Sequence, residues 1–184
     1  MASMNKNRSI QKKSNIKKLR SAAFLDRDGT INFDKGYTYK FSEFKFRPHV
    51  IKGLKYLTKK KYLLFIITNQ AGIAKGKFKI SDLFKLNRQL LSHLEKKKIY
   101  ITKIKFCPYH PNAVVKKYRK KTNYRKPGNL MIRDILKKWN INMKKSFMIG
   151  DKVTDEICAK KSNLYFEYPG KNFLQQVKRI TKNI

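Results

Sequence analysis

Short apolar runs that alternate with stripes of helical spacing constrain this chain more than any other feature. Four runs have the length and the apolar or β-branched composition of strands: "AAFL" (22–25), "YLLFIIT" (62–68), "ITKIKF" (101–106) and "SFMIG" (146–150). The second run is apolar almost throughout, which is typical of a strand that is covered on both faces. Strands that alternate with helices predict an α/β fold, with a Rossmann-like parallel sheet and helices on both faces.

Between these runs, apolar residues recur with the spacing of a helix that buries one face. The spacing predicts a helix from about Pro48, a second helix capped by Ser81, and a third whose apolar stripe ends at Trp139. A last strand is predicted in "LYFEY" (164–168), and a terminal helix follows with a stripe that ends at Ile180. These elements complete the alternation.

The length of 184 residues matches a single domain, which we place at residues 21–184. Residues 1–20 are polar and basic without a sustained apolar period, so we expect them to form a disordered arm. The segment between Asp28 and Pro48 is too short for a large cap domain. We therefore expect an open site.

The chain is strongly basic, with 46 Lys and Arg residues against 11 Asp and Glu and a formal net charge of +35. The excess is spread along the chain and is mostly Lys, which is typical of solvated helix faces, so nucleic acid is the weaker expectation for a partner. No apolar run approaches the roughly 18 residues that span a bilayer, and the first residues lack an apolar signal region. Cys107 and Cys158 do not form a disulfide framework. We expect a monomeric cytoplasmic protein without a membrane partner.

The scarce acidic residues are concentrated in two loops. Five of the eleven follow "AAFL" or "SFMIG": Asp26, Asp28, Asp151, Asp155 and Glu156. Ligands of such sheets bind at the carboxyl ends of the strands, where these residues lie. Neighbouring carboxylates repel each other unless a cation or a shared proton lies between them, and Mg²⁺ prefers oxygen ligands. The pattern predicts a magnesium site.

Two simpler interpretations of these acidic residues compete with a magnesium site. An EF-hand loop counted from Asp26 requires glycine and glutamate where Ile31 and Tyr37 stand, so "DRDGT" is not a calcium loop. An Asp-Gly turn stays open for "DRDGT", and a helix N-terminus that carries acids stays open for Asp151.

Four motifs, "FLDRDGTIN", "TNQAGIAKG", "RKP" and "IGDKVTDE", stand in the order of those of the haloacid dehalogenase (HAD) superfamily of phosphatases, which the chain resembles over about residues 22–168. Within it, the chain resembles the branch that holds the heptose bisphosphate and histidinol phosphatases. The resemblance implies Mg²⁺-dependent hydrolysis of the C7 phosphate of D-glycero-D-manno-heptose 1,7-bisphosphate, through an aspartyl phosphate, on a route to nucleotide-activated heptose.

The resemblance also implies roles for single residues. Asp26 would be the nucleophile, and Asp28 would protonate the leaving sugar oxygen and later accept a proton from water. Asp26, the backbone carbonyl of Asp28, and Asp151 would hold Mg²⁺, with Asp155 orienting them from outside the ligand set. Lys126 would clamp the reacting phosphoryl group, and the full set of substrate positions is Arg27, Asp34, Lys35, Gly36, Tyr37, Thr68, Asn69, Gln70, Ala71, Arg125, Lys126 and Lys152.

The stretch before "RKP" departs from many relatives, which bind a structural zinc there. Of the ligand positions only Cys107 remains, because Tyr109, Thr122 and Tyr124 occupy the others. A structural zinc site needs a full tetrahedral set of ligands, so we expect no zinc. The loop would then be held by packing of Tyr109, Tyr118 and Tyr124.

Three other functions stay open at this point. A histidinol-phosphate phosphatase and a polynucleotide 3′-phosphatase would use the same scaffold, and the second would suit the positive charge. A basic nucleic-acid-binding protein without catalysis would explain the charge but not the placement of Asp26, Asp28 and Asp151.

Overall fold

The computed structural model describes residues 19–184 of the chain. The expected arm over residues 1–20 therefore lies outside the described residues, except for Leu19 and Arg20. The backbone of Arg20 donates to the Asn140 carbonyl at 3.0 Å and accepts from the Asn142 amide at 2.9 Å. Backbone pairing with the fold thus begins at Arg20.

Five strands and six α-helices are present within residues 19–184. The strands are β1 (Ala22–Leu25), β2 (Leu63–Asn69), β3 (Lys103–Cys107), β4 (Phe147–Ile149) and β5 (Tyr165–Glu167). The helices are α1 (Val50–Lys59), α2 (Ala71–Ala74), α3 (Ile80–Glu95), α4 (Leu130–Leu136), α5 (Val153–Lys160) and α6 (Phe173–Asn183). Short 3-10 helices lie at Phe41–Glu43, Lys116–Tyr118 and Met143–Lys145. None of the described helices has both the length and the apolar character needed to cross a membrane.

All neighbouring strands are parallel, in the order β3-β2-β1-β4-β5. β1 lies in the middle and is buried along its whole length, which agrees with its apolar sequence. Ala23 and Leu25 face the cluster formed with α1, α3 and α6, whereas Ala22 and Phe24 face the cluster formed with α4 and α5. The predicted Rossmann-like sheet with both faces covered is confirmed.

The start of α3 differs from the prediction. The helix begins at Ile80, and Ser81 is not its cap. Instead, the Lys79 amide donates to the carboxylate of Asp82 at 2.8 Å, which satisfies one of the free amides at the helix start. The Asp82 carboxylate, inside the first turn, therefore caps the helix in place of Ser81.

Two other elements were predicted to extend beyond their observed bounds. Tyr62 lies outside β2, because its amide donates to the Leu57 carbonyl at 3.1 Å and completes the turn after α1. α4 ends at Leu136, and Trp139 lies beyond it with its ring edge-on to Phe65 at 5.3 Å. Apolar residues next to an element can pack on the core without belonging to it.

Candidate active site

A cavity of about 440 Å³ opens at the carboxyl ends of the central strands. Most of the predicted site residues line it: Asp26, Asp28, Asp34, Gly36, Tyr37, Thr68, Asn69, Gln70, Ala71, Arg125, Lys126, Lys152 and Asp155. Gly72 and Thr154 also line it, although they were not predicted. Both lie inside the motifs "TNQAGIAKG" and "IGDKVTDE", so the motifs already marked their positions although no role was predicted for them.

Asp26 and Lys126 form a buried ion pair at the floor of the cavity. Asp26 is 5% exposed and Lys126 is 3% exposed. The Lys126 ammonium donates to Asp26 Oδ1 at 2.6 Å and to the Ile67 carbonyl at 2.9 Å, and it also pairs with Asp155. One lysine thus connects the ends of β1 and β2 to the start of α5.

Burial and the neighbouring charges shift the pKa values of both residues of this pair. Burial, against the opposing effect of Lys126 and together with the nearby Asp155 and Asp28 carboxylates, raises the pKa of Asp26 to about 7. Burial also lowers the pKa of Lys126, but Asp26 and Asp155 outweigh this effect and raise it above the usual lysine value. Lys126 therefore stays cationic beside Asp26.

Asp26, Asp151 and Asp155 form a group that we call the carboxylate cluster. One oxygen from each lies within 4.8 Å of the others, so two distant chain segments, one after β1 and one after β4, contribute to the cluster. Asp151 Oδ1 is buried without a hydrogen-bond partner among the described residues, and burial raises the pKa of Asp151. A buried set of carboxylate oxygens with one oxygen left unpaired fits Mg²⁺, which takes oxygen ligands.

Two glycines make room for the cluster. Gly29 has a φ of +83°, and a side-chain carbon there would collide with the Asp151 carboxylate. A side-chain carbon on Gly150 would collide with Asp155 in the same way. The glycine of "DRDGT" is therefore needed both for its backbone conformation and for the approach of Asp151.

Asp155 is fixed at the start of α5. Its Oδ2 accepts from the Lys152 backbone amide at 3.1 Å, and its Oδ1 pairs with Lys126. The carboxylate therefore satisfies a free amide of the helix and holds the lysine that contacts Asp26. This position agrees with the orienting role predicted for Asp155.

Asp28 is surrounded by hydrogen-bond donors. Its carboxylate accepts from Arg27 at 2.8 Å, from Asn32 at 3.0 Å and from Gln70 at 2.9 Å. The Arg27 side chain is fully buried and also donates to the Thr38 carbonyl at 2.8 Å. Arg27, predicted to contact substrate, thus directs its side chain to Asp28 rather than to the cavity.

The "TNQ" segment at the end of β2 links the other parts of the site. The Asn69 side chain donates to the Lys126 carbonyl and accepts from the Lys126 amide, both at 3.0 Å. The Thr68 hydroxyl, 1% exposed, accepts from the Gln70 amide at 2.9 Å. Asn69 therefore fixes the backbone of the buried lysine.

The predicted substrate positions of "DKGY" lie at the rim of the cavity. Asp34 pairs with Lys152 across the opening at 3.4 Å, and both side chains are partly exposed. Gly36 and Tyr37 have φ values of +76° and +55°, so this turn uses left-handed backbone conformations. Lys35 is exposed and does not line the cavity.

Residues 107–124, called the tyrosine loop below, lie beside Arg125. Tyr109 and Tyr118 contact each other with ring centroids 6.2 Å apart, and Arg119 Nε donates to the Ala113 carbonyl at 2.9 Å. Tyr124 packs against the same core cluster as Tyr109, and the Lys105 ammonium lies 5.8 Å from its ring centroid. Aromatic contacts and backbone hydrogen bonds hold the segment.

Comparisons with known proteins give the same class of protein as the fold and the site. The family model described as polynucleotide kinase 3 phosphatase matches residues 21–178. The D-glycero-beta-D-manno-heptose-1,7-bisphosphate 7-phosphatase of Rhodopseudomonas palustris is 36% identical over 88% of this chain and 90% of its own length. The corresponding alpha-heptose enzyme of Campylobacter jejuni is 40% identical over 73% of each chain.

Two solved structures share the fold. A protein of Mesorhizobium loti described as a HAD-like phosphatase superimposes with a TM-score of 0.80 and 25% identity, over 89% of this chain and 87% of its own. The D,D-heptose 1,7-bisphosphate phosphatase of B. bronchiseptica, complexed with magnesium and phosphate, superimposes with a TM-score of 0.78 and 19% identity, over 89% and 99%. The fold is that of the HAD-like phosphatases. The chain belongs to the polynucleotide kinase 3 phosphatase family within that group.

Proposed function

We propose that this chain is a Mg²⁺-dependent phosphatase that removes the C7 phosphate of D-glycero-D-manno-heptose 1,7-bisphosphate. The relatives from Rhodopseudomonas palustris and Campylobacter jejuni carry this activity in their names, for the beta and the alpha anomer respectively. The observation that carries the proposal is the buried Asp26, which lies at the floor of an open polar cavity between Lys126 and the other carboxylates.

In the first step an Asp26 carboxylate oxygen attacks the phosphorus of the ester. A bond forms between this oxygen and phosphorus, the bond from phosphorus to the sugar oxygen breaks, and Asp28 gives its proton to the departing oxygen. The products are an aspartyl phosphate and the free sugar hydroxyl. One hard hydrolysis is thereby divided into two displacements.

In the second step Asp28 accepts a proton from water as the water oxygen attacks the same phosphorus. The bond from phosphorus to Asp26 breaks, which regenerates the carboxylate and releases inorganic phosphate. The proton that Asp28 gave away is thus replaced, and the enzyme returns to its starting state.

Both steps bring negatively charged groups together, so the site must offset their repulsion. Lys126 supplies a buried positive charge that contacts Asp26 directly. Thr68, at the end of β2, would hold phosphoryl oxygens. Mg²⁺ held by Asp26 and Asp151 supplies further positive charge against the phosphoryl oxygens when bound.

A polynucleotide 3′-phosphatase is the second candidate function. The matching family model favours it, because its description names that activity. The net charge of +35 also suits a phosphate-rich polymer. The cavity would accept a terminal phosphate in the same chemistry.

We also propose where the enzyme works and in what form. The cysteines Cys107 and Cys158 are both free and buried, which suits the reducing cytoplasm. We propose an active monomer, in which Asp26, Asp28 and Lys126 of the same chain carry out the reaction.

One panel of assays tests the proposed activity against the second candidate function. Phosphate release is measured from heptose 1,7-bisphosphate, histidinol phosphate and a 3′-phosphorylated oligonucleotide, each with Mg²⁺ and with EDTA. We expect the highest kcat/KM for heptose bisphosphate and no release from any substrate in EDTA. A tenfold preference for the oligonucleotide would instead establish the second candidate.

A further inference from the structure

Two side chains predicted to contact substrate lie behind a catalytic residue instead. Gln70 is 3% exposed and the Arg27 side chain is fully buried. Both donate to the carboxylate of Asp28, which is itself 17% exposed. The carboxylate that must exchange protons with the ligand therefore reaches the cavity, whereas Arg27 lies outside the cavity lining and Gln70 is almost fully buried within the cavity wall.

Gln70 occupies the centre of this arrangement. Its amide nitrogen donates both to Asp28 Oδ2 and to the Thr68 hydroxyl, each at 2.9 Å. Its carbonyl oxygen accepts from Arg27 Nη2 at 3.3 Å, and its backbone amide donates to the Cys107 carbonyl at 2.8 Å. One side chain thus connects the residue proposed for proton transfer to the hydroxyl proposed to hold the phosphoryl group.

Arg27 completes the support from the other side. Its Nε and Nη2 atoms both contact the Asp28 carboxylate, at 2.8 to 3.2 Å, and Nη2 is anchored on the Thr38 carbonyl. A two-nitrogen contact of this kind fixes the plane of a carboxylate as well as its position. Asp28 therefore has little freedom to rotate.

We propose that Gln70, together with Arg27, is a positioning residue that holds the Asp28 carboxylate where it can transfer a proton to the leaving oxygen. The inference rests on the proposed function, because it assigns to Gln70 a part in that reaction. It does not require Gln70 to touch substrate. Its effect is on orientation, and a small misplacement of a catalytic group costs a large factor in rate.

A glutamine suits this position better than the related residues. Its amide offers a donor to Asp28 and an acceptor to Arg27 at the same time. Glutamate would keep the contact with Arg27 but place a second carboxylate against Asp28. Methionine would keep the length of the side chain and remove all three of its hydrogen bonds, to Asp28, to Thr68 and from Arg27.

The leaving group gives a test that distinguishes positioning from general damage. A sugar oxygen must be protonated as it departs, whereas 4-nitrophenolate leaves without a proton. Single turnovers with enzyme in excess report the first displacement alone for both esters. In Gln70→Met we expect release of the sugar to slow by roughly 10- to 100-fold, since general acid catalysis contributes about 10² to 10⁴. Release of 4-nitrophenolate should slow by less than about threefold.

A matched control is available elsewhere in the chain. Gln176 is also buried, at 6% exposure, and its amide also donates to a carboxylate, that of Glu167 at 2.9 Å. Gln176→Met therefore removes an equivalent contact between residues that do not line the cavity. We expect both leaving groups to react at the wild-type rate in this control.

The outcomes separate the inference from the proposed function. Equal slowing of both leaving groups in Gln70→Met, or no slowing of either, would overturn the positioning role while the wild-type enzyme stays active. A wild-type enzyme that releases neither leaving group would overturn the proposed function and this inference with it. If Gln70→Met does not fold, Gln70→Glu serves instead, with the same selective loss expected on the sugar ester.

Discussion

The carboxylate cluster, at the cavity, and the tyrosine loop, which leads to the cavity residue Arg125, are stabilised in different ways. In the cluster, Asp26 and Asp155 share one buried lysine, and Asp151 keeps a buried oxygen without a partner among the described residues. In the loop, contacts between Tyr109 and Tyr118 and a hydrogen bond from Arg119 connect neighbouring turns. The first region depends on charge and the second on packing.

This difference shows that the carboxylate cluster, and not the tyrosine loop, contains the buried charges that lower stability and that a reaction requires. Buried charges are costly unless they are paired, and they are kept where a reaction needs them. Substitutions in a surface loop that is held by aromatic and backbone contacts have small effects on stability. We therefore expect substitutions in the cluster to remove activity, and substitutions in the loop to have mild effects on stability.

The largest effect is expected for Asp26→Asn. The amide cannot attack phosphorus, so kcat should fall by roughly 10⁴-fold or more, as when other covalent nucleophiles are removed. The shape of the side chain is kept, so the fold should stay intact. Phosphate release and trapping of the phosphorylated enzyme measure the loss, and a normal circular dichroism spectrum confirms the fold. Full activity in this variant would exclude the aspartyl phosphate.

Lys126→Met should damage both stability and activity. It leaves the buried carboxylates of Asp26 and Asp155 without their cation, which costs about 3–5 kcal/mol of unfolding free energy. Urea unfolding in EDTA measures this loss. The control is Lys105→Met, which breaks the more exposed pair with Asp134 and should cost only about 0–1 kcal/mol. Equal losses in the two variants would show that burial does not distinguish these pairs.

Asp151→Asn should separate stability from metal binding. Burial raises the pKa of Asp151, and a carboxyl whose pKa is raised on folding destabilises the folded state at a pH above its unfolded value. In EDTA at neutral pH the variant should therefore melt at or above the wild-type temperature. With Mg²⁺ only the wild type should gain stability, because the variant lacks a charged ligand. A lower Tm in EDTA would contradict the assignment of Asp151 as a strained ligand.

The smallest effect is expected in the tyrosine loop. Arg119→Gln removes the hydrogen bond from Nε to the Ala113 carbonyl, which is worth about 1 kcal/mol. Tm should fall by about 2–4 °C, with kcat unchanged. Arg133→Gln, an exposed change on α4, is the matched control and should leave Tm unchanged. A loss of kcat in Arg119→Gln would show that the loop contributes to the chemistry.

The order and type of the elements followed from the sequence because apolar periodicity reports burial directly. The strand "AAFL" became β1 without a change of bounds. The start of α3 was harder to predict, since Ser81 and Asp82 are both common near helix starts and only the hydrogen bond to Lys79 decides between them. Residue propensities predict a helix end to within a few positions, whereas the capping residue is identified only by the hydrogen bonds that it makes.

The site, too, was predictable from the sequence only in part. The motifs placed Asp26, Asp151 and Lys126 near one another, because the carboxyl ends of parallel strands meet at one edge. They did not show that the Arg27 side chain turns away from the cavity toward Asp28. The direction of a side chain in a loop depends on contacts with distant segments, such as the one from Gln70, which one sequence does not reveal.

The central strand of the sheet comes first in the chain, and the neighbours β2 and β4 are made later. During translation, Asp26, the proposed nucleophile, therefore leaves the ribosome long before the segment that brings Asp151 to it has been synthesised. A nascent polypeptide at this stage has no complete ion-binding set and no acyl phosphate chemistry. Catalytic competence thus arises only late in synthesis, and a truncation ahead of Asp151 would yield an inert product.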